Sequence, residues 1–216
     1  MLAGAIFDMD GTLLDTEKIY QKYWREVAKE FGCEPKTDLG REISGSTGPK
    51  AEEIFKRHFP QLDYPAYRDK VIAYVEEEEL RHIDPKPGVR ELLDFFQDHG
   101  VKMAVASSTP THMIERNLGL AGIRNYFSVL VGGDQIVYGK PAPDIFQLAA
   151  AKLGFAPSAC YGFEDSINGV RASVAAGNFA IMVPDCAKPT DEIRKIVGAV
   201  YDDMFAVKYA LEHIEI

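Results

Sequence analysis

Two patterns of apolar and polar positions alternate along the chain. Short apolar runs predict buried strands, at 4–8, 101–106, 128–132, 159–163 and 179–183. Apolar residues that recur every three or four positions predict helices, at about 88–98, 110–118, 143–153 and 166–176. Alternation of strands and helices predicts a parallel sheet that is covered by helices on both faces. The chain of 216 residues is long enough for such a core.

The segment between the first strand and the rest of the sheet has a different pattern. Helices are predicted there, over about 16–31, 50–59 and 64–80. Residues 40–49 are rich in Gly and Ser and are predicted to form a loop. We therefore expect an α/β protein in which residues 1–14 and 83–216 form the sheet domain and residues 15–82 form a helical insertion. No element is predicted beyond residue 183.

Composition and charge exclude several classes of partner. The net charge of −9 does not favour binding to nucleic acid or to an anionic membrane. The three cysteines, Cys33, Cys160 and Cys186, lie far apart, which favours a reducing compartment over a disulfide framework or a zinc site. No apolar run is long enough to span a bilayer, and Asp8 and Asp10 interrupt the apolar stretch near the N-terminus. We expect a cytoplasmic protein and infer no obligate protein partner.

Two aspartates stand where the first predicted strand ends. Asp8 can act as a covalent nucleophile towards phosphorus and form an aspartyl phosphate. Asp10 can protonate the leaving oxygen and later take a proton from water. Gly11 permits a turn and the close approach of a phosphate to the backbone. The alternative is a plain strand-to-loop turn with solvated aspartates.

Candidate phosphate ligands follow the later strands. Ser107 and Ser108 precede a helix start, where backbone N–H groups and a hydroxyl could bind a phosphate, although Thr109 could simply cap that helix. Lys140 lies between a glycine and two prolines and could contact both the phosphoryl oxygens and Asp8. The alternative for Lys140 is an ordinary surface lysine.

A pair of acidic residues after the fourth strand suggests a magnesium site. Mg²⁺ takes oxygen ligands and usually one or two protein carboxylates. Asp8, Asp165 and the carbonyl of Asp10 would form such a set, with Glu164 bound directly or through water. Acids that converge repel each other by about 4 kcal/mol per pair at 4 Å and an effective dielectric of 20. Mg²⁺ and Lys140 would supply three compensating charges. Asp165 could alternatively cap the helix at 166–176.

These four clusters resemble the motifs of the haloacid dehalogenase superfamily, in the branch of small-molecule phosphatases that includes beta-phosphoglucomutase. The resemblance spans residues 4 to about 177, with the four motifs at Asp8 to Thr12, Ser107, Lys140 and Glu164-Asp165. It implies a Rossmann-like core, a helical cap inserted after the first motif, Mg²⁺ as cofactor, Asp8 as nucleophile and Asp10 as acid and base. Dehalogenases of this superfamily lack the second aspartate, so dehalogenation is disfavoured.

The predicted cap departs from that of the mutase. Beta-phosphoglucomutase has a histidine on its first cap helix and an arginine in the next loop that grips a second phosphate, and Tyr20 and Gly48 stand at these positions here. Arg41 or Lys50 could replace the arginine, which keeps a phosphosugar mutase as an alternative. Gly45 and Lys50 are the cap residues predicted to contact substrate.

The sequence thus predicts a Mg²⁺-dependent phosphatase that acts on a small phosphorylated metabolite, such as a sugar phosphate, through an aspartyl phosphate. A phosphosugar mutase is one alternative. A catalytically silent binding protein on the same fold is the other, and the presence of Asp8, Asp10, Lys140 and Asp165 argues against it.

Overall fold

The structure is a computed structural model and describes residues 2–34, 39–43, 46 and 48–213. The chain folds into two compact units. One is formed by Met1–Leu14 together with Asp84–Ile216, and the other by Asp15–Ile83.

The unit Asp15–Ile83 is helical throughout its described elements, which are α1 (Glu17–Glu30), α2 (Leu39–Ile43), α3 (Gly48–His58) and α4 (Tyr64–Arg81). Its core is aromatic: Trp24 of α1 stacks on Tyr67 of α4 with ring centroids 5.6 Å apart, and Phe55 of α3 lies 4.8 Å from Tyr67. The Tyr67 hydroxyl donates a hydrogen bond of 2.6 Å to the carbonyl of Trp24. This bond satisfies the polar group that such a large buried ring carries.

The other unit contains the sheet, with strands β1 (Gly4–Phe7), β2 (Lys102–Ser107), β3 (Phe127–Gly132), β4 (Cys160–Glu164), β5 (Phe179–Met182) and β6 (Ala199–Val200). The accompanying helices are α5 (Val89–Asp98), α6 (Thr111–Leu120), α7 (Asp144–Leu153), α8 (Ile167–Ala176), α9 (Asp191–Ile196) and α10 (Met204–Glu212). Within the described residues, all strand pairs are parallel and the order is β3-β2-β1-β4-β5-β6. The predicted α/β fold with a parallel sheet is confirmed.

Side chains of β1 point alternately to the two faces of the sheet, as the strand period requires. Ile6 packs in a cluster with Phe146 of α7 and Ala172 of α8. Phe7 stacks on Phe163 of β4 at 4.4 Å and meets Phe96 of α5 at 6.1 Å. Both faces of β1 are therefore buried under helices, which explains why its sequence is apolar without alternation.

The predicted loop over 40–49 is wrong at both of its ends. Leu39 and Ile43 are buried four residues apart on α2, and Gly48 begins α3. Gly40 is a packing residue, because a Cβ there would lie 2.9 Å from the Cα of Gln21. Glycine here marks a close helix contact rather than a turn. Gly45, predicted to bind substrate, lies outside the described residues.

The strand order determines where polar loops meet. The chain leaves β1 for β2 and β3 on one side and returns to β4 on the other, so β1 lies at a topological switch point. Ligands of open parallel sheets bind at the carboxyl ends of strands next to such a point. Among the described residues, no helix combines the length and the apolar character that crossing a bilayer requires.

Candidate active site

Asp8 extends the pairing of the two central strands by one residue. Its backbone N–H donates a hydrogen bond of 2.9 Å to the carbonyl of Phe163 in β4. The Asp8 side chain therefore emerges beside Glu164, the last residue of β4, and Asp165, which follows it. One carboxylate oxygen from each of these three residues lies within 4.8 Å of the other two. All three side chains are buried, so the sheet edge concentrates three acids in a site with little solvent.

Lys140 provides the positive charge in this cluster. Its Nζ lies 2.6 Å from Asp8 Oδ1 and 2.5 Å from Glu164 Oε1, and it donates a further hydrogen bond of 3.1 Å to the carbonyl of Ala106. Only 8% of the Lys140 side chain is exposed. The alternative of a surface lysine is therefore wrong, because all three ammonium donors point into the site.

Glu164 and Asp165 are oriented by neighbours from the start of α8 and from the turn after β1. Ser166 donates hydrogen bonds to Glu164 Oε2 from its hydroxyl (3.0 Å) and its backbone N–H (3.3 Å). Gly169 leaves the space for that carboxylate, since a Cβ there would lie 1.9 Å from it. Thr12 donates to Asp165 Oδ1 at 3.3 Å. The cap of α8 is Ser166, so the alternative in which Asp165 caps this helix is wrong.

Asp10 lies against the residues that follow β2. Its Oδ2 accepts hydrogen bonds from the hydroxyls of Thr109 at 2.8 Å and Ser107 at 3.3 Å. Thr109 does not cap the next helix, which begins at Thr111 and whose first N–H is bound by Asp134 instead. The Thr109 hydroxyl is turned towards Asp10, an acceptor that follows β1 and that no local pattern could identify.

Burial and the contact between opposite charges act in opposite directions on the pKa values of Asp8 and Lys140. Burial is the largest influence on Asp8 and raises its pKa to about 8, with Glu164 and Asp10 adding to the rise and Lys140 opposing it. Burial also acts to lower the pKa of Lys140, but the carboxylates of Asp8 and Glu164 outweigh it and the net shift is upward. Lys140 is therefore a permanent cation, and Asp8 needs more positive charge to ionise fully.

The donor set fits a divalent cation. Asp8, Glu164 and Asp165 carry three negative charges when ionised and Lys140 carries one positive charge, which leaves an excess of two. Clustered carboxylate oxygens are hard ligands of the kind that divalent cations such as Mg²⁺ prefer. The cluster is therefore a candidate metal site.

The remaining predicted residues occupy different places. Gly11 is buried directly after Asp10, with a positive φ of 77° that favours glycine. Ser108 is exposed directly after β2. Lys50 lies on α3 of the helical unit and is exposed.

Four residues that orient the acidic side chains were not predicted as site residues from the sequence. They are Thr12, Thr109, Ser166 and Gly169. The sequence signal that could have identified them is their position, because each of these residues follows the end of a strand by a few residues. Ser166 also has the ordinary sequence position of a helix cap. Their acceptors, however, include partners up to 153 residues away in the chain, which spacing alone does not indicate.

Known proteins resemble this chain in both sequence and fold. The family model of the haloacid dehalogenase-like hydrolases matches residues 5–183. The chain is 36% identical over 184 residues to the fructose-1-phosphate phosphatase YqaB of Escherichia coli, covering 84% of this chain and 96% of that protein. It is 36% identical over 180 residues to a phosphorylated carbohydrates phosphatase of Thermotoga maritima, covering 82% of each chain. The crystal structure of CbbY from Rhodobacter sphaeroides in complex with phosphate superposes with a TM-score of 0.78 at 27% identity, covering 94% of this chain and 95% of that chain. With four site segments in place and the family model matching most of its length, the chain belongs to the haloacid dehalogenase-like hydrolases.

Proposed function

We propose that this enzyme is a Mg²⁺-dependent phosphatase that hydrolyses a phosphorylated carbohydrate through an aspartyl phosphate. The observation that carries the proposal is the contact between Asp8 and Lys140, beside Glu164 and Asp165 and two residues from Asp10. The substrate class is supported by the two 36% identical relatives, which are named for fructose 1-phosphate and for phosphorylated carbohydrates.

In the first step, an oxygen of the ionised Asp8 carboxylate attacks phosphorus. A bond forms between that oxygen and phosphorus while the bond from phosphorus to the sugar oxygen breaks. Asp10 in its protonated form gives its proton to the leaving oxygen, so the products are a free alcohol and an aspartyl phosphate. Ser107 and Lys140 hold the phosphoryl oxygens during this transfer.

In the second step, Asp10 acts as a base. It takes a proton from a water molecule, whose oxygen attacks phosphorus and displaces the Asp8 carboxylate. Inorganic phosphate is released and both aspartates return to their starting states. The hydrogen bonds from Ser107 and Thr109 hold one oxygen of Asp10 in place, which orients the acid and base for both steps.

Asp8, Glu164 and Asp165 would hold Mg²⁺, with the carbonyl of Asp10 as a further ligand. The ion, when bound, supplies positive charge that neutralises the phosphoryl oxygens. Asp8 is buried, and its ionised form is favoured by any added cation.

The proposal is tested by a phosphate-release screen over sugar phosphates, nucleotides and other phosphorylated metabolites, with Mg²⁺ and with a chelator. Release of phosphate from fructose 1-phosphate or another sugar phosphate, lost on chelation, supports it. No release from any phosphate ester with metal present would contradict it.

The same screen separates the phosphatase from the mutase, which has less support because both 36% identical relatives are named as phosphatases. A mutase would need a bisphosphate primer and would form the isomeric monophosphate with little free phosphate. Selection of the leaving group by residues 15–82, including Tyr20 and Lys50, stays a prediction, as does a cytoplasmic location.

Asp10→Asn is expected to lower kcat for a sugar phosphate by about 10²- to 10⁴-fold, because the leaving alkoxide then departs without a proton. The loss should be much smaller with p-nitrophenyl phosphate in the step that forms the aspartyl phosphate, since its leaving group needs no proton. Rapid-quench measurement of the first turnover with both substrates checks this. Equal losses of that step for the two substrates would contradict the acid role of Asp10.

Binding of Mg²⁺ is expected to weaken as the pH falls from 8 to 6, by at most about tenfold per pH unit. Burial raises the pKa of Asp8 to about 8, so below that pH a proton competes with the metal. Without metal, the folded protein keeps this proton between about pH 4 and pH 8 while the unfolded chain releases it. The contribution of Asp8 to the free energy of unfolding therefore falls as the pH rises through this range.

The measurement is the rise in Tm caused by one concentration of Mg²⁺ at pH 6, 7 and 8. The rise should be largest at pH 8. The variant Asp8→Asn removes the titrating group and should lose much of this trend. An equal rise at all three pH values in the unmodified enzyme would show that Asp8 is already ionised at pH 6.

A further inference from the structure

A second ion pair of the sheet unit contacts the turn that follows Asp10. Lys86 Nζ lies 3.1 Å from Asp185 Oδ1 and donates a hydrogen bond of 2.8 Å to the carbonyl oxygen of Gly11. The two side chains are only 17% and 21% exposed, so solvent screens this pair less than an ordinary surface pair. Lys86 follows the point where the chain re-enters the sheet unit at Asp84, and Asp185 follows β5.

The turn at residues 10–14 depends on contacts of this kind, because it belongs to no helix or regular strand. Gly11 donates its N–H to the carbonyl of Leu14 at 3.0 Å. The backbone N–H of Lys86 donates to the carbonyl of Leu13 at 2.9 Å, and Leu14 forms an antiparallel bridge with Pro85. Lys86 therefore holds the turn at two carbonyls, one through its backbone and one through its side chain.

Lys86 holds the carbonyl of Gly11, and Asp10 is the residue directly before it. A shift of the Gly11 backbone would therefore also move Asp10. Asp10 has two proposed tasks, since its carboxylate transfers the proton and its carbonyl is a proposed metal ligand. A misplacement of about 1 Å can lower an enzymatic rate by as much as about 100-fold. We propose that Lys86, held by Asp185, is a positioning residue that fixes this turn and so aims Asp10 at the leaving oxygen. The inference rests on the proposed function, because it takes Asp10 to be the acid.

Asp185 provides a way to separate positioning from stability. Its Oδ2 is buried and has no hydrogen-bond partner among the described residues, so its charge is balanced chiefly through Oδ1 and Lys86. Lys86→Met would leave this carboxylate unpaired and would destabilise the protein. Adding Asp185→Asn removes the stranded charge and should restore much of the stability. The carbonyl of Gly11 would still lack its charged donor in the double variant.

The experiment compares Lys86→Met, the double variant Lys86→Met/Asp185→Asn and the conservative variant Lys86→Arg. Arg171→Met is the matched control, because it breaks another ion pair of the same unit, which joins Arg171 of α8 to Glu192 of α9. We expect kcat for a sugar phosphate to fall by about 10- to 100-fold in both the single and the double Met variants. The KM of both Met variants, and the kcat and KM of Arg171→Met, should stay within about threefold of the values of the unmodified enzyme. Lys86→Arg should keep most of the unmodified rate.

Two further measurements make the result decisive. The loss in the first turnover should be smaller with p-nitrophenyl phosphate, whose leaving group needs no acid. Recovery of kcat along with Tm in the double variant, or equal losses for both substrates, would show that Lys86 is only structural and would overturn the proposal.

Failure of the proposed function is recognised separately. If the unmodified enzyme releases no phosphate, the phosphatase assignment falls, and the hydrogen exchange of the backbone amides in the 10–14 turn decides the role of Lys86. Exchange of the Gly11 and Leu14 amides should be at least about tenfold faster in the double variant than in Arg171→Met. Unchanged exchange would overturn the positioning role.

Discussion

Asp8→Asn is expected to lower phosphate release by at least about 10³-fold, because it removes the nucleophile itself. Asparagine has nearly the shape of aspartate but cannot attack phosphorus as a carboxylate. The backbone hydrogen bond from residue 8 to Phe163 does not involve the side chain and is retained. Lys140 keeps its contact with Glu164. The variant should therefore stay folded while the covalent step is lost.

The measurement is steady-state phosphate release with Mg²⁺, together with an acid quench of the unmodified enzyme after reaction with ³²P-labelled substrate. Protein-bound, hydroxylamine-sensitive label should appear in the unmodified enzyme and be absent from Asp8→Asn. The control is Asp98→Asn, an identical change at an exposed position of α5, which should leave the rate unchanged. Retention of more than about a tenth of the activity by Asp8→Asn would exclude the aspartyl phosphate and, with it, the role of position 8. Inactivity of the unmodified enzyme would instead favour a silent binding protein.

Lys140→Met is expected to be the most destabilising of these substitutions as well as nearly inactive. Lys140 contacts Asp8 and Glu164 at 2.6 and 2.5 Å in a site with little solvent. Removing one member of a buried charge cluster costs about 3–5 kcal/mol, because the remaining charges stay buried without compensation. Loss of a donor to the phosphoryl group should also lower kcat by about 10²- to 10³-fold.

Urea unfolding at pH 6 and pH 8, with and without Mg²⁺, measures this effect. The loss of stability should be larger at pH 8, where the Asp8 carboxyl is driven to ionise, and Mg²⁺ should restore part of it. Lys18→Met is the control, because Lys18 pairs with Asp15 but is 77% exposed, and its loss should change stability little. If Lys140→Met is as stable as the unmodified protein at both pH values without metal, the charge balance proposed for the site is wrong.

Sequence patterns predicted most of the sheet unit because its elements depend on local order. The apolar runs at β1, β2, β3, β4 and β5 are short and end in polar residues, and the observed strands begin and end within one residue of the prediction. Prediction failed at α2, whose five residues are too few to show a helical period, and at α9 and β6, which are also short. The helix α10 was missed although its buried Met204, Val207 and Leu211 recur at helical spacing. Gly40 contributed to the wrong prediction of a loop, because glycine occurs both in turns and where two helices pack closely.

The amino-acid sequence by itself determined which chemistry this protein carries. Asp8, Ser107 and Glu164-Asp165 each lie at the end of a strand or directly after it. Parallel strands direct their carboxyl ends to one edge, so the approach of these residues follows from the predicted parallel sheet. Tertiary structure decided how each acid is held. Thr109, predicted as a possible helix cap, donates a hydrogen bond to Asp10 in the structure. The lack of a side chain at Gly169 leaves the space that the Glu164 carboxylate occupies.

The link between Lys86 and Asp185 likewise has no sequence signal. Lys86 and Asp185 lie 99 positions apart in the chain. They meet because the loop after β5 packs against the segment in which the chain re-enters the sheet unit at Asp84. Local patterns arise from the periodicity of a single element, whereas a contact between loops depends on the packing of every element between them. The sequence therefore determined the reactive groups, and only the folded chain determined which neighbours orient them.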